Sequence, residues 1–385
     1  MESLTAWLKS LPPAADFWSM TPEAYTAVTS IFQYFPVVAL AQWLLPFHPQ
    51  GKTSLSTRIL NFPGRYAWCF MESIGAINLI RLLFFQSHAS TGLAFFSLPL
   101  WNKALASLYV LHYLNRAFIT PLFLAPSMSP IHAIIIGFAA VFNYMNSTSL
   151  AGWLLGYGVE PAGPGFEGST AHTEQQQKGA GTEQVQTGTG AIAQAMLPYI
   201  PYIGLVFFLV GMYGNIRAEN TLFRLRREEA HRRQNRATTS KSDPSDKDSN
   251  QRPTNVYSKV YVIPPASGYF RHVLFPHYSL EWLEWTGFML MGFGVFTSTT
   301  RASLAAAGHS VASPSPPIPL APYYLPLARV LLNRWGLSFP FPTIVFLVNS
   351  ILNTAARASW GRKWYEERFG KEAVAGRAAV VPYIL

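Results

Sequence analysis

Apolar runs about as long as a bilayer is thick recur along this chain, separated by short polar connections and by two long polar inserts. A membrane-crossing helix needs about 20 mostly apolar residues, because in lipid only a helix satisfies its own backbone. Residues 25–45 form such a run without a charge. Residues 66–83 form a second, with Glu72 inside it and Arg81 near its end, and 98–124 a third, interrupted by Lys103 and Arg116. Runs 131–155 and 192–216 are long and uncharged. Run 280–300 opens with Glu281 and Glu284, and a last run lies within 320–356, where prolines blur its start. The pattern predicts an all-α membrane protein, about seven transmembrane helices in one bundle.

The same pattern divides the chain. Residues 1–24 precede the first helix, 25–157 hold helices one to four, and 191–227 hold the fifth with its polar end. Residues 257–385 carry the last two helices and a polar tail. Between them, 158–190 is rich in Gly, Gln and Thr, and 228–256 is a polar run of mixed charge. Neither insert has enough apolar surface to offset the entropy of ordering, so both are expected to be disordered loops without chemistry.

Composition agrees with a membrane protein: half of the 385 residues are hydrophobic and only 12% are charged, against about a quarter in soluble domains. The net charge of +10 would suit nucleic acid if it were spread out, but it is not. Of 29 Lys and Arg, 12 lie between 217 and 271 and six between 357 and 377. Basic residues gathered in loops between apolar runs are the positive-inside pattern. With seven spans it sets the C-terminus in the cytosol, and the N-terminus and the acidic 158–190 loop in the lumen. The run from Arg224 to Arg236 then reads as a solvated cytosolic anchor, and no nucleic-acid partner is expected. A lone cysteine, Cys69, leaves no disulfide and no cysteine-based metal site. Residues 1–21 lack the apolar core of a cleavable signal.

Ionisable residues inside spans are costly, by roughly 2.5–3.5 kcal/mol on insertion scales, and ask for a reason. Glu72 is one, and His112, Tyr113 and Arg116 form a polar stripe at helical spacing in the third run. A satisfied ion pair of Glu72 with Arg116 or Arg81 accounts for them structurally. A functional account makes Glu72 an acid facing a cavity, where apolar surroundings favour its neutral, hydrogen-donating form. A second cluster comprises Tyr261, Pro276-His277-Tyr278, Glu281 and Glu284. The helix dipole suffices for one carboxylate at a helix start; two beside Pro-His-Tyr look like a polar pocket. The third cluster is the tail with Arg357, Trp364, Tyr365 and Phe369, which reads equally as an amphipathic helix at the membrane surface. No dinucleotide-fold fingerprint, Walker loop, zinc-protease motif or serine-hydrolase elbow is present.

These clusters together resemble the steroid 5α-reductase (3-oxo-5α-steroid 4-dehydrogenase) family. The resemblance rests on Tyr261-x-Ile263-Pro264, Tyr269-Phe270 and Pro276-His277-Tyr278-x-x-Glu281-x-x-Glu284-Trp285, followed by Trp364-Tyr365-x-x-x-Phe369 and the ending from Val381 to Leu385. Gly211-Met212-x-x-Asn215-Ile216 with Leu225-Arg226 matches the family's fifth span, and Ala67-Trp68-x-x-x-Glu72 and Leu111-His112-Tyr113 its substrate side. The resemblance implies a multi-pass protein of the endoplasmic reticulum membrane. It implies reduction of the double bond of a 3-oxo-Δ4-steroid, or a similar lipid enone from the bilayer, with NADPH. Glu72 and Tyr113 would be catalytic, polarising the substrate ketone beside Trp68 and Arg116. Asn215, Glu219, Arg226, Tyr261, His277, Glu281, Arg357 and Tyr365 would line the cofactor site, with the arginines toward its phosphates. No metal is implied. Hydride adds to an enone's β-carbon only if the charge arriving on oxygen is stabilised, and a dry pair of donors does this well.

This chain departs from the family pattern at several places. The family often has Asp at Glu219, Arg at Val262 and Asn at His277. It often has a His-rich stretch at Ser359-Trp360-Gly361-Arg362, and Asn and Arg at Leu124 and Ser127. Polyprenol and enoyl-CoA reductases share the C-terminal signature, whereas the Glu72 and Tyr113 motifs favour the steroid branch. S-Adenosylmethionine-dependent membrane methyltransferases resemble Tyr269-Phe270-Arg271-His272 and Pro276-His277-Tyr278, but lack the intramembrane Glu–Tyr pair. A catalytically silent membrane scaffold is a further alternative, since fold does not fix function. A transporter is disfavoured because no internal repeat is found.

Overall fold

A computed structural model describes residues 11–44, 60–86, 94–158, 161–162, 195–240, 255–257, 259–309, 318–335 and 337–384. Apart from two pairings of two-residue strands, its regular structure is helical. The first span begins with α1 (Pro22–Phe32), where the Thr21 hydroxyl accepts from the Ala24 amide at 3.3 Å and Pro22 needs no partner for its missing N–H. It continues as α2 (Phe35–Leu44). The second is α3 (Gly64–Ile80), extended by a wide π-helical turn, Arg81–Gln86. α4 (Leu100–Tyr113) likewise widens into a π-helical stretch, Leu114–Leu124, where Pro121 cannot donate to a regular ladder. α5 (Ala133–Leu154) is capped by His132. α6 (Ile200–Ser240) is 41 residues long, about 60 Å at 1.5 Å per residue. α7 (Pro276–Met291), α8 (Thr297–Ala306) and α9 (Phe341–Phe369) follow.

Among the described residues, four helical stretches are long and apolar enough to cross a membrane: Pro22–Leu44, Gly64–Phe85, Ala133–Leu154 and Ile200–Arg236. The other three predicted runs are helical in part but do not combine that length with that apolarity. Run 280–300 is not one helix: α7 stops at Met291, a 3₁₀ turn covers Gly292–Gly294, and the chain restarts at Thr297. The break is where Gly292 and Gly294 abut Pro340 and Trp101, with room for no side chain: a Cβ would meet them at 2.8 and 2.6 Å. The last run holds a short helical stretch, Leu325–Arg329 continuing as Val330–Arg334, and then α9 from Phe341, with Pro340 before its start and Pro342 in its first turn.

The distribution of side chains supports a membrane environment more directly than helix length does. Val206, Val210 and Tyr213 on α6, Tyr66, Phe70 and Ile77 on α3, and Ile134, Phe138 and Val141 on α5 point outward. Each set repeats at helical spacing and forms an exposed apolar stripe of a kind soluble monomers rarely carry. Several inward positions are instead polar: Asn78, Asn102, Asn143, Asn146, Ser147, Thr148 and Ser149 are buried and hydrogen-bonded to one another, to backbone or, for Asn146 and Ser149, to Tyr109 and Thr29.

The first half of the second insert differs from its expected disorder. α6 runs unbroken to Ser240, and Arg224–Glu228 (3.8 Å), Arg233–Glu229 (2.8 Å) and Arg232–Glu229 (3.4 Å) pair across its turns. Such pairs at i, i+3 and i, i+4 support a polar helix end. The remainder of that insert, 241–254, lies outside the described residues, as does most of 158–190.

α6 and α7 are the most closely packed pair. A Cβ on Gly204 would lie 2.6 Å from the Gly287 carbonyl, and one on Gly211 2.4 Å from the Glu284 amide, so backbone meets backbone along the seam. The tail folds back over the start of α7. Leu274 and Phe275 donate to the carbonyls of Ala378 and Ala379 (both 2.9 Å), and the Ser279 hydroxyl donates to Val380 (2.6 Å). Arg377 is buried beneath, donating to the carbonyls of Pro264 and Val374; burial lowers its pKa from the usual arginine value.

Candidate functional site

The wide stretch after α4, the middle of α6, the start of α7 and the polar half of α9 enclose a cavity of about 440 Å³, within the range of ligand sites. Each element brings charge to it. Arg116 comes from the stretch after α4 and Glu219 from α6; their side chains meet at 3.3 Å and are mostly buried. The Arg116 guanidinium lies 5.1 Å from the Trp68 ring centroid, and the Trp68 indole N–H donates to the Arg116 carbonyl at 3.2 Å. His277 opens α7, and Arg357 and Tyr365 descend from α9. Tyr261 stands on the loop between, its ring edge-on to Trp364 at 4.9 Å.

Behind this wall lies a cluster of ionisable groups: His112 on α4 and Glu281 and Glu284 on α7 are buried, and Glu72 on α3 is half-buried. His112 Nδ1 and Glu284 Oε1 are 2.7 Å apart, both nearly excluded from solvent. Oε2 of Glu281 and of Glu284, and Nε of Arg357, are buried with no hydrogen-bond partner among the described residues. Groups left in this state are rare in folded proteins and ask for a ligand or ordered water.

Of the residues singled out from the sequence, Trp68, Arg116, Glu219, Arg226, Tyr261, His277, Arg357 and Tyr365 wall the cavity. Glu72, Tyr113, Asn215 and Glu281 stand back from it; Asn215 and Glu281 are buried, and Tyr113 is only 4% exposed. The Tyr113 hydroxyl donates to Asn143 Oδ1 at 3.0 Å, so serving a ketone requires it to turn from that acceptor. Arg226 is likewise engaged, donating to the Ser127 hydroxyl (2.7 Å), the Ser127 carbonyl (3.3 Å) and the Val260 carbonyl (3.2 Å). Among the arginines of the wall, Arg357 is the one with a buried N–H still to be satisfied. A wall with that donor, Arg116 and the rings of Tyr261, Trp364 and Tyr365 suits a ligand that carries both anionic groups and planar rings, as NADPH does.

Sequence reasoning missed four contributors. Ser127 and Leu124 stand out only as departures, yet they anchor Arg226 and Arg227 through backbone oxygens. Gly361 faces the ring of Phe275, 2.4 Å from where a Cβ would be, so a side chain there would displace a ring of the cavity wall. Asn143 carries no motif. Among the described residues no group of His, Cys, Asp and Glu is arranged to hold a metal ion.

Fold and site together define an all-α protein with apolar outer faces, polar buried positions and a charged internal cavity. No family model matches the chain. A protein of Schizosaccharomyces pombe named uncharacterized protein C9.08c is 24% identical over 371 residues, covering 94% of this chain and 99% of the relative. The steroid 5-alpha-reductase DET2 of Arabidopsis thaliana is 26% identical over 299 residues, 74% of this chain and 87% of that protein. The chain is thus distantly similar to a steroid 5-alpha-reductase.

Proposed function

We propose that this protein is a membrane-embedded oxidoreductase that reduces the carbon–carbon double bond of a 3-oxo-Δ4-steroid or similar lipid enone with NADPH. The observation that carries this reading is the cavity that brings Arg116, Glu219, Tyr261, His277, Arg357 and Tyr365 together, with the buried Nε of Arg357 left without a hydrogen-bond partner among the described residues. Its distant similarity to a steroid 5-alpha-reductase supports the reaction class.

Bound NADPH supplies the hydride. The chain's own residues would do the rest. Glu72 and Tyr113 hold protons at the ketone oxygen, where charge accumulates as the β-carbon is reduced. Arg116 orients Glu219, Arg357 offers its unsatisfied N–H to an anionic group, and the aromatic wall keeps water away. Substrate would enter from the bilayer and NADPH from the cytosol, with the C-terminus cytosolic in a seven-helix arrangement of the endoplasmic reticulum membrane.

The test is NADPH oxidation by purified protein in detergent. The panel holds a 3-oxo-Δ4-steroid, a polyprenol, a polyprenal and an enoyl-CoA, with Glu72→Gln as control. Steroid turnover that is largely lost in the variant is the expected result. Turnover of another panel member instead keeps the reaction class and moves the substrate. Binding of S-adenosylmethionine without binding of NADPH would overturn the reading in favour of methyl transfer, and binding of neither would leave a scaffold.

A further inference from the structure

Asn143 lies on α5, buried among the spans at 2% exposure, in a stretch whose sequence reads as plain apolar helix. Its amide is fully specified by its neighbours. Nδ2 donates to the Met71 carbonyl at 2.8 Å, which leaves Oδ1 to accept, and Oδ1 takes the proton of the Tyr113 hydroxyl at 3.0 Å. Flipping the amide would set a carbonyl against a carbonyl. Met71 is the residue before Glu72 on α3. One side chain from α5 therefore holds both the helical turn that carries Glu72 and the hydroxyl of Tyr113.

The surroundings make this a built network. Asn146, one turn along α5, donates to the Tyr109 hydroxyl at 3.1 Å, next to the ring of Tyr113. The rings of Tyr109 and Tyr113 pack tilted at 41°, with centroids 4.6 Å apart. Gly75 lets the α3 backbone close over it: a Cβ there would stand 2.7 Å from the Tyr109 oxygen and 3.5 Å from Asn143 Oδ1. A polar network in apolar surroundings, with each member partnered, fixes geometry more firmly than an apolar contact does.

Resting on the reductase reading above, we infer that Asn143 is a positioning residue that presets Glu72 and Tyr113 relative to each other, so that a ketone oxygen meets both donors together. The Tyr113 O–H rotates from Asn143 Oδ1 to the ketone oxygen as substrate arrives, exchanging one acceptor for another. Asn143 itself does not touch substrate.

The test compares wild type with Asn143→Leu, which removes both hydrogen bonds at similar volume, and with Asn143→Asp, which keeps the acceptor for Tyr113. The probe is progesterone carrying a ¹³C-labelled 3-keto group. Infrared difference spectra report how far the carbonyl is polarised on binding, without any turnover, and NADPH oxidation gives kcat and KM. The wild type is expected to shift the carbonyl stretch to lower frequency. Asn143→Leu should lose most of that shift and about tenfold or more in kcat, with a far smaller change in KM for the steroid. Asn143→Asp should fall between the two, and it carries the test if Asn143→Leu fails to fold. A shift and kcat unchanged in either variant, or a lost kcat with the shift intact, would overturn the inference while leaving the reductase reading standing. No shift and no progesterone turnover in the wild type would overturn the 3-oxo-Δ4-steroid reading, and this inference with it.

Discussion

At the residue scale, the account depends on a few charged and hydroxyl groups whose neighbours are now defined. Arg116 and Glu219 sit 3.3 Å apart with side chains 14% and 17% exposed, so removing one leaves the other charged and mostly buried. Arg116→Met should cost roughly 3–5 kcal/mol in stability, seen as a lower melting temperature in detergent; adding Glu219→Leu should recover much of it. Glu72→Gln should leave melting nearly unchanged and lower kcat by about 10²–10³, measured as NADPH oxidation with progesterone. Glu72, Arg116 and Glu219 were legible as charges out of place in apolar runs. Asn143 was not, because a lone amide in such a run has no spacing signature. Leu124 was misleading for a physical reason: it accepts from Arg227 through its backbone carbonyl, a role that survives any change of side chain, whereas Ser127 accepts from Arg226 through both its carbonyl and its hydroxyl.

At the element scale, the decisive contact is the seam between α6 and α7. Helices approach this closely only where side chains are missing, and Gly204, Gly211 and Gly287 supply the gap. Gly211→Leu should force the helices apart and move Glu284 and Glu281 off the cluster. Loss of folded yield in size-exclusion chromatography and loss of NADPH binding in the remaining protein would be the readout. Gly137 faces open space, so Gly137→Ala should leave both unchanged. The apolar runs were legible as helices from their length. The ends were not. α6 passes into the polar insert because its Glu and Arg fall at i, i+3 and i, i+4, which composition alone does not reveal. α7 breaks early because glycines there meet Trp101 and Pro340, residues remote in sequence.

At the scale of the whole molecule, residues from both ends of the chain meet at one cavity, and the tail closes it by backbone hydrogen bonds to the residues just before α7. Deleting 378–385 removes the acceptors of Leu274 and Phe275 and should weaken NADPH binding at least about tenfold, followed by quenching of tryptophan fluorescence. The motif order hinted at this convergence; the placement of Arg357 and Tyr365 opposite Glu219 needed the fold. Everything else depends on the half-buried carboxyl of Glu72 serving the reduction of an enone. The most direct test of that role is the mass of the product when purified wild type and Glu72→Gln are each given progesterone with NADPH deuterated at the transferred hydrogen. The account expects one deuterium at the β-carbon of the saturated ketone from the wild type and only traces from the variant. Equal labelled product from both, or none from the wild type beside turnover of another cofactor, would contradict it.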